Sequence, residues 1–224
     1  MTSLLLHGLA RHLDPAALDY LARVTVGVAG AGGLGSNCAM HLVRSGFIRL
    51  VLADYDVVEP SNLNRQYYTA AQMGRAKVEA LAENLHAVNP DLDLTLHHTL
   101  LDRDNAATVF GACHAVVEAL DDPRAKKALA EAVLPGPALL VAASGIGGFG
   151  RAGAIRSRVL RHNFVLVGDG QTACGPEAPP LSPMVGVAAA MQADAVLAHF
   201  LNRFQAGLGP LDDDTQDDTE DGHD

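Results

Sequence analysis

Short apolar runs alternate along the chain with longer stretches in which apolar residues recur every three or four positions. Runs of roughly four to eight apolar residues are typical of buried strands, whereas the wider spacing is typical of amphipathic helices. Strands that alternate with helices form a mostly parallel sheet covered on both faces, so the pattern predicts a single doubly wound α/β domain. The expected strands are residues 24–29, 47–53, 92–97, 115–118, 138–143, 154–160 and 164–167.

Capping residues and prolines mark where the predicted helices begin and end. Asp14 before Pro15 predicts a helix that ends near residue 23, and Asp122 before Pro123 predicts another. Thr69 is expected to cap a long amphipathic helix that reaches about residue 88 and stops before a proline. The remaining expected elements are helices at 35–45 and 183–204, a hairpin of the strands at 154–160 and 164–167, and a glycine- and proline-rich loop at 168–182.

Charge is distributed unevenly over the 224 residues. The formal net charge is −10, but eight of the 26 acidic residues lie in 211–224, which contain no lysine or arginine. The rest of the chain carries 18 acidic and 16 basic residues and is nearly neutral. We therefore expect a domain over residues 1–206 and a disordered acidic tail over 207–224. A neutral body with an acidic tail does not suit binding to a phosphate backbone, so no nucleic-acid partner is expected.

The three cysteines, Cys38, Cys113 and Cys174, are odd in number and scattered. They predict no disulfide framework, and without a Cys-x-x-Cys pair no four-thiolate zinc site is expected. The apolar first ten residues lack the basic segment and the cleavage site of a signal peptide. The longest apolar stretch, 133–143, is interrupted by prolines and is too short to span a bilayer. We expect a cytoplasmic protein that does not bind a membrane.

A glycine-rich turn, with Gly30, Gly32, Gly33 and Gly35, lies between a predicted strand and a predicted helix. Backbone amides and the helix N-terminus make such a turn an anion site, and glycine lets phosphate oxygens approach the backbone closely. Asp54 ends the next strand, where a carboxylate accepts hydrogen bonds from a ribose hydroxyl. Taken alone, these features predict a Rossmann-like nucleotide-binding domain, and NAD-dependent oxidoreductases are the largest competing class.

The residues after Asp54 depart from a dehydrogenase pattern, because residues 56–66 are dense in polar and ionisable groups. Arg65 and Lys77 carry charge that can neutralise a triphosphate. Asp121 follows another predicted strand, at the edge where open α/β sheets bind ligands, and is a candidate to hold Mg²⁺ at the same phosphates. This set suits nucleotidyl transfer, in which catalysis is chiefly positioning and charge neutralisation.

Five motifs follow one another in a fixed order. They are Gly-Ala-Gly-Gly-Leu-Gly-Ser at 30–36, Asp-x-Asp at 54–56, Ser-Asn-Leu-Asn-Arg-Gln at 61–66, Gly-x-x-Lys at 74–77 and the strand-end Asp121. Together they resemble the ThiF/MoeB/HesA family, the bacterial relatives of ubiquitin-activating enzymes, over residues 24–201. Residues 118–122, 143–150 and 167–169 further resemble the short zinc-free branch of ThiF proteins, known as family 2.

The resemblance implies an enzyme that uses ATP and Mg²⁺, without zinc, to adenylate the C-terminal glycine of a ubiquitin-like sulfur carrier. For the family 2 branch, that carrier is ThiS and the pathway is thiazole formation in thiamine biosynthesis. The resemblance also implies a homodimer in which an N-terminal arginine reaches the partner's site, and Arg11 is the candidate.

The family's site residues are implied at matching positions of this chain. Gly33 would approach the phosphates, Asp54 would bind the ribose, and Lys77 would contact the phosphates. Asp121 would face Mg²⁺ and the reacting α-phosphate. The triphosphate channel would be lined by Ser61, Asn62, Asn64 and Arg65, next to the glycine turn (Gly30, Gly32, Gly33, Gly35) and the carboxylates of Asp54 and Asp56.

The chain departs from the family pattern at the second position of the strand-end pair, where Asp122 stands for the usual asparagine. An aspartate before Pro123 is more typical of a helix N-cap than of a catalytic acid. The family's zinc-binding cysteines are also absent. Cys174 lies in the segment that corresponds to the family's crossover region, one residue from the position where some members hold a sulfur-accepting cysteine. Both a sulfur-transfer role and an incidental thiol remain open, and no Lys, Arg or His neighbours it in the sequence to lower its pKa.

Three alternatives remain beside a ThiS adenylyltransferase. The first is adenylation of a molybdopterin-type or other carrier. It stays open because the motifs do not define the surface that sets carrier specificity. An NAD-dependent oxidoreductase is opposed by the 61–66 motif and by the lack of a substrate domain. A non-catalytic scaffold is opposed by the retention of Arg65, Lys77 and Asp121.

Overall fold

A computed structural model describes residues 3–210, which contain one seven-stranded sheet. Each predicted strand is present within one or two residues of its expected bounds. The strands are β1 Thr25–Ala29, β2 Arg49–Ala53, β3 Asp93–His97, β4 Ala115–Glu118, β5 Leu139–Ala143, β6 Arg156–Arg161 and β7 Phe164–Gly168.

The strand order is β3-β2-β1-β4-β5-β7-β6, and every pair is parallel except the antiparallel hairpin of β6 and β7. From the junction of β1 and β4, chain order runs outwards through β2 and β3 on one side and through β5 and the β6–β7 hairpin on the other. Ligands of open α/β sheets bind outside the carboxyl ends of the strands at such a switch point. The mostly parallel α/β fold predicted from the sequence is confirmed, and the topology indicates where a ligand site belongs.

Helices cover both faces of the sheet. Successive strand residues point to opposite sides, so the apolar residues of each strand face helices on both sides. Val28 and Val117 belong to a buried cluster with residues of the helices 33–44 and 182–205, whereas Ala29 and Val116 pack on the other face. The α-helices are α1 Leu4–Leu9, α2 Pro15–Leu21, α3 Gly33–Arg44, α4 Lys77–His86, α5 Ala106–Phe110, α6 Pro123–Val133 and α7 Ser182–Gln205. Three short 3₁₀ helices lie at Pro60–Asn62, Ala70–Gln72 and Ala152–Ala154. The short helices α1 and α5 were not expected from the sequence.

Both aspartate–proline helix starts are confirmed. The carboxylate of Asp14 accepts a hydrogen bond from the Ala16 amide at 2.8 Å, and α2 begins at Pro15. The carboxylate of Asp122 accepts hydrogen bonds from two amides of the first turn of α6. Each carboxylate satisfies amides that lack a partner within the helix, which is why these residues favour helix starts.

The predicted long helix from Thr69 is wrong at its beginning. Thr69 and Gln72 do form a reciprocal capping box, but the box serves only the 3₁₀ helix Ala70–Gln72. Gly74 then adopts a positive φ of 78°, and its amide donates to the Val58 carbonyl, so the chain turns away before α4 begins at Lys77. A left-handed glycine ends a helical segment in this way. The turn places Lys77 in the first turn of α4.

Helix α7 is long and apolar enough, by length and composition alone, to cross a membrane. In the structure it packs against α3 along much of its length and lies over β5 and β7. Its Gln192 is fully buried and donates hydrogen bonds to the Glu118 and Val141 carbonyls at 2.9 and 3.2 Å. Packing in the core therefore accounts for the apolar composition of α7. The predicted acidic tail lies, from residue 211 onward, outside the described residues.

Candidate nucleotide site at the switch point

The glycine turn lies at the carboxyl end of β1, at the switch point. Gly30 has a φ of 93°, and a Cβ atom there would lie 2.7 Å from the Ala119 carbonyl oxygen of the loop after β4. A Cβ atom on Gly35 would collide with the Gly30 carbonyl, so this position also requires glycine. Helix α3 begins at Gly33, and its unpaired first-turn amides face the turn. The geometry is that of an anion-binding helix N-terminus.

Asp54 fixes the glycine turn to the end of β2. The side chain is 9% exposed, and its Oδ2 accepts a hydrogen bond from the Ala31 amide at 2.6 Å. Its Oδ1 accepts from the Asp56 amide at 2.8 Å, which orders the chain after the strand. Each carboxylate oxygen can accept a further hydrogen bond, so this arrangement is compatible with the predicted ribose contact.

Lys77 and Asp56 form an ion pair beside the turn. The Lys77 Nζ lies 2.6 Å from Asp56 Oδ2, and the side chain of Lys77 is only 7% exposed, whereas that of Asp56 is 44% exposed. Asp56 raises the pKa of Tyr55, with smaller increases from burial, Asp121 and Asp54. The carboxylates that follow β2 and β4 are thus close enough to act on one phenol, and the structure brings these predicted residues together.

Arg65 lies over the glycine turn. A Cβ atom on Gly33 would be 3.3 Å from Arg65 Cγ and 3.0 Å from Val185 Cγ1 at the start of α7. The guanidinium donates to Asn64 Oδ1 at 2.8 Å and to the Ser61 carbonyl at 3.1 Å. The side-chain amide of Asn37 donates a hydrogen bond to the backbone carbonyl of Arg65 at 2.8 Å. The arginine is therefore positioned at the N-terminus of α3, where a phosphate would bind.

The other residues of the 61–66 motif have different surroundings. Asn62 is buried, and its Oδ1 accepts from the Glu59 amide at 3.0 Å, so its side chain closes the 3₁₀ turn. Asn64 donates to the Pro180 carbonyl at 3.3 Å and so links the motif to the segment before α7. Ser61 is exposed. The structure brings Ser61 and Asn64 to the surface beside Arg65 and engages Asn62 within the turn.

Asp121 and Asp122 differ in what they bind. Within residues 3–210 no group bonds to the Asp121 carboxylate, which is exposed. The Asp122 carboxylate accepts from the Arg124 and Ala125 amides at 2.6 and 3.2 Å, and the Ala125 and then the Arg124 hydrogen bonds lower its pKa. The predicted assignment of Asp122 as a helix cap is confirmed, and Asp121 is the carboxylate that remains available to a ligand.

The donor set around Asp121 bears on the predicted metal. The residues that the structure describes hold no group of three or more His, Cys, Asp or Glu side chains that suits a metal ion. Mg²⁺ differs from zinc in that it commonly binds one or two carboxylates together with substrate phosphates and water. An exposed Asp121 in the loop after β4 fits that pattern.

No role was predicted for three further polar residues at this edge. Glu118, which is buried, and Lys126, which is partly exposed, form an ion pair beside the Asp121 loop. Gln66 is 8% exposed, and its Oε1 has no hydrogen-bond partner among the described residues. Its Nε2 lies 3.9 Å from where a Gly32 Cβ would be, so its amide faces the turn. Gln66 belongs to the 61–66 motif and Glu118 to the 118–122 segment, whereas Lys126 had no sequence signal.

Cys174 lies exposed in the loop between β7 and α7. Burial of the sulfur raises its pKa, while Arg65 and then Lys126 lower it. The fold thus supplies two nearby cations that the local sequence lacks, yet the net pKa of the thiol is raised. The base of this loop is held by Asp169, which accepts hydrogen bonds from Thr172 and pairs with Arg151 at 3.0 Å.

Arg11 is exposed in the turn between α1 and α2. Its predicted role concerns the site of a second subunit and stays a prediction.

The comparisons with known proteins agree with this geometry. A family model described as the ThiF family matches residues 7–212. The adenylyltransferase and sulfurtransferase MOCS3 of Culex quinquefasciatus is 38% identical over 103 residues, which are 46% of this chain and 24% of that protein. The ubiquitin-like modifier-activating enzyme 5 of Caenorhabditis elegans is 44% identical over 80 residues, 36% of this chain and 19% of that protein. The matched region spans about a quarter or less of these curated relatives.

Solved structures share the fold over nearly the whole chain. The E. coli tRNA N6-threonylcarbamoyladenosine dehydratase TcdA in complex with ATP has a TM-score of 0.78 and 24% identity, and the match covers 90% of this chain and 94% of TcdA. E. coli MccB with ATP has a TM-score of 0.67 and 20% identity, covering 92% of this chain and 63% of MccB. At these identities the likeness shows the fold alone.

Proposed function

The chain belongs to the ThiF family, and from this membership and the site geometry we propose that it is an ATP-dependent adenylyltransferase. Its substrate is the C-terminal glycine of a ubiquitin-like sulfur carrier of the ThiS type, in the thiazole branch of thiamine biosynthesis. The names of its relatives support the coarser part of this proposal, because one is an adenylyltransferase and another activates a ubiquitin-like modifier. The sequence likeness to the zinc-free ThiF branch supports the ThiS carrier.

One observation carries the proposal: the side chain of Arg65 lies over Gly33, at the N-terminus of α3. A cation fixed at a glycine-rich helix start provides a binding site for phosphates. Lys77 is paired with Asp56 after β2, and Asp121 follows β4. Because the ends of β2 and β4 flank the end of β1, these groups stand on both sides of the switch point.

The reaction is a displacement at the α-phosphorus of ATP. A carboxylate oxygen of the carrier's terminal glycine forms a bond to the α-phosphorus, and the bond to the oxygen that bridges to the β-phosphate breaks. Pyrophosphate leaves with that electron pair. Arg65 and Lys77 stabilise the negative charge that moves onto the leaving group. Stabilisation of developing charge by fixed groups is usually the largest single contribution to catalysis.

The remaining groups orient the nucleotide. Asp54 holds the glycine turn and offers its free lone pairs to the ribose hydroxyls. Mg²⁺, when bound to Asp121 and the phosphate oxygens, supplies further charge neutralisation. We also propose a cytoplasmic homodimer in which Arg11 reaches the partner's site, as the resemblance implies.

Exchange of labelled pyrophosphate into ATP, measured with purified carriers, tests the proposal. We expect exchange with a ThiS-type carrier and none with the same carrier lacking its terminal glycine. Exchange with only a molybdopterin-type carrier would move the assignment to that pathway. No exchange with any carrier, together with bound nicotinamide or hydride transfer, would overturn adenylation in favour of an oxidoreductase.

We propose that Cys174 is an incidental thiol, because its net pKa is raised despite Arg65 and Lys126. Adenylation precedes any thiol step, so Cys174→Ser is expected to keep full pyrophosphate exchange and full carrier thiocarboxylate formation in a reconstituted system. A covalent adduct between carrier and chain in mass spectrometry, lost in the serine variant, would instead establish a sulfur-transfer nucleophile.

A further inference from the structure

A buried carboxylate ends strand β4, three residues before Asp121. The side chain of Glu118 is 4% exposed, and burial raises its pKa, while Lys126 opposes that increase. Its Oε1 accepts a hydrogen bond from the Leu120 amide at 2.8 Å. The carboxylate therefore bonds directly to the backbone of the loop that carries Asp121.

Lys126 extends this connection to the neighbouring strand. Its Nζ donates to both oxygens of Glu118, at 2.8 and 2.7 Å, and to the Ala143 carbonyl at the end of β5, at 3.2 Å. On the face of the sheet that α7 covers, the side-chain amide of Gln192 donates to the backbone carbonyls of Glu118 and Val141. The Glu118 carboxylate thus joins the loop, through Lys126, to α6 and the end of β5, while the backbone of Glu118 is bonded separately to α7.

An ion pair with a buried carboxylate is a costly way to fill this space, because Glu118 is 4% exposed and Lys126 30% exposed. Taking a carboxylate out of water often costs as much as its attraction to a cation returns, and apolar residues of similar volume commonly stabilise a fold equally well. Stability alone therefore does not explain an ion pair here. What an apolar pair lacks is an acceptor for the Leu120 amide and a fixed donor for the strand end.

We propose that Glu118 and Lys126 are positioning residues that hold the 119–122 loop so that the Asp121 carboxylate faces the reacting phosphate. This inference deepens the proposed function and rests on it. Asp121 has no bonded partner of its own among the described residues, so its place is set by the backbone of this loop. The loop also supports the glycine turn, because the Ala119 carbonyl lies against Gly30.

A pair of matched double variants tests the proposal. In Glu118→Leu/Lys126→Met, both charges are removed and the space stays filled, so the melting temperature should remain near that of the wild type. The Leu120 amide loses its acceptor, and its hydrogen exchange without any substrate should accelerate at least about tenfold. With carrier present, kcat for pyrophosphate exchange should fall about 10- to 100-fold, the usual loss when a group that orients a metal ligand is removed.

Three measurements separate positioning from a merely structural role. The KM for ATP should stay within about twofold, because the substitutions leave Arg65 and the Asp54 hydrogen bond to the glycine turn in place. Lys126→Arg, which keeps the cation, should retain most activity. The control is Glu131→Leu/Lys127→Met, which removes the exposed ion pair of the same helix, 3.5 Å apart and 50% or more exposed at both side chains. It should change neither amide exchange nor kcat.

The outcomes distinguish this inference from the proposed function. If the wild type activates no carrier, the proposed function fails, while the Leu120 amide still reports whether the ion pair holds the loop. Wild-type amide exchange in the Glu118→Leu/Lys126→Met variant would overturn the positioning role. The positioning role would also be overturned if kcat across the variants fell in proportion to their melting temperatures, whether or not the Glu118 carboxylate is present.

Discussion

Two lysine–carboxylate pairs flank the switch point, and they are buried in opposite senses. In the pair after β2 the lysine is covered and the carboxylate is half exposed, with side-chain exposures of 7% for Lys77 and 44% for Asp56. In the pair after β4 the carboxylate is covered and the lysine is partly exposed, at 4% for Glu118 and 30% for Lys126. Both lie at the same edge of one sheet, yet only the first has a carboxylate that solvent can reach.

This difference indicates how the two sides of the site are used. An exposed carboxylate loses little hydration when its partner turns to another anion, so Asp56 can share Lys77 with an incoming phosphate. A buried carboxylate cannot give up its cation without a large desolvation cost. The β2 side is therefore suited to binding ligand, and the β4 side to holding a loop in place.

The largest effect is expected on the β4 side, at Asp121. Asp121→Ala should abolish pyrophosphate exchange while ATP binding, measured by calorimetry, weakens much less, because the group acts at the reacting α-phosphate. Asp122→Ala is the matched neighbour. It should keep most activity and lower the melting temperature slightly, because a helix cap is removed. A larger catalytic loss at Asp122 would reverse the assignment of the two carboxylates.

On the β2 side, Arg65→Ala and Lys77→Ala should each lower carrier-dependent pyrophosphate exchange by about 10²- to 10³-fold. This is the usual cost of losing one donor that stabilises charge in the transition state. Circular dichroism should show an unchanged fold. Normal exchange in either variant would remove that residue from the site. A loss at Lys77 accompanied by unfolding would show that its ion pair is structural, like that of Glu118.

A third ion pair, between Asp169 and Arg151, sharpens the comparison because hydrogen bonds rather than burial govern it. The Thr172 hydroxyl and amide and then the Gln171 amide lower the pKa of Asp169 to about 2. A carboxylate with a lowered pKa in the folded state stabilises the fold above its unfolded pKa and loses that contribution as the pH falls. Asp169→Asn should therefore cost roughly 1–2 kcal/mol near pH 6, and the cost should shrink between about pH 4 and pH 2 in urea unfolding. A cost independent of pH would rule out this linkage.

The smallest effect is expected for the acidic segment 211–224, which lies outside the described residues. Its eight acids repel one another and carry no lysine or arginine, so removing it should leave melting temperature and pyrophosphate exchange almost unchanged. A clear change in either would show that the segment contacts the body. Faster pyrophosphate exchange after its removal would indicate that the segment binds Arg65 and Lys77 in the full chain.

Local patterns predicted most of the fold. Strand runs and aspartate–proline starts depend on neighbouring residues, so β1 to β7, α2 and α6 were predictable. The same local rule misplaced the start of α4, because a threonine–glutamine capping box looks identical before a 3₁₀ turn and before a long helix. Only the left-handed Gly74 distinguishes them, and its conformation depends on the pairing of its amide with Val58.

The candidate site was predictable where its residues belong to motifs that follow one another in a fixed order. Arg65, Lys77 and Asp121 came from three such motifs, and each lies after a strand or at a helix start at one edge of the sheet. Glu118 lies in the 118–122 segment, but its contact with Lys126 was not predictable, because that contact joins a strand end to a helix. In the sequence, Glu118 is indistinguishable from any strand-end carboxylate, and Lys126 from any helix-surface lysine. Their importance depends on burial, which only the folded chain reveals.

The packing of α7 has a consequence for the order in which the chain is made. This helix covers the face of the sheet over β5 and β7, and it lies against α3, which begins about 150 positions earlier in the chain. Until residue 205 has left the ribosome, that face and the apolar side of α3 stay open to water. Such exposed apolar surface favours association with other chains. The surface that α7 covers is thus the last large apolar surface of the domain to be buried, although the glycine turn, β1 and β2 emerge among the first elements.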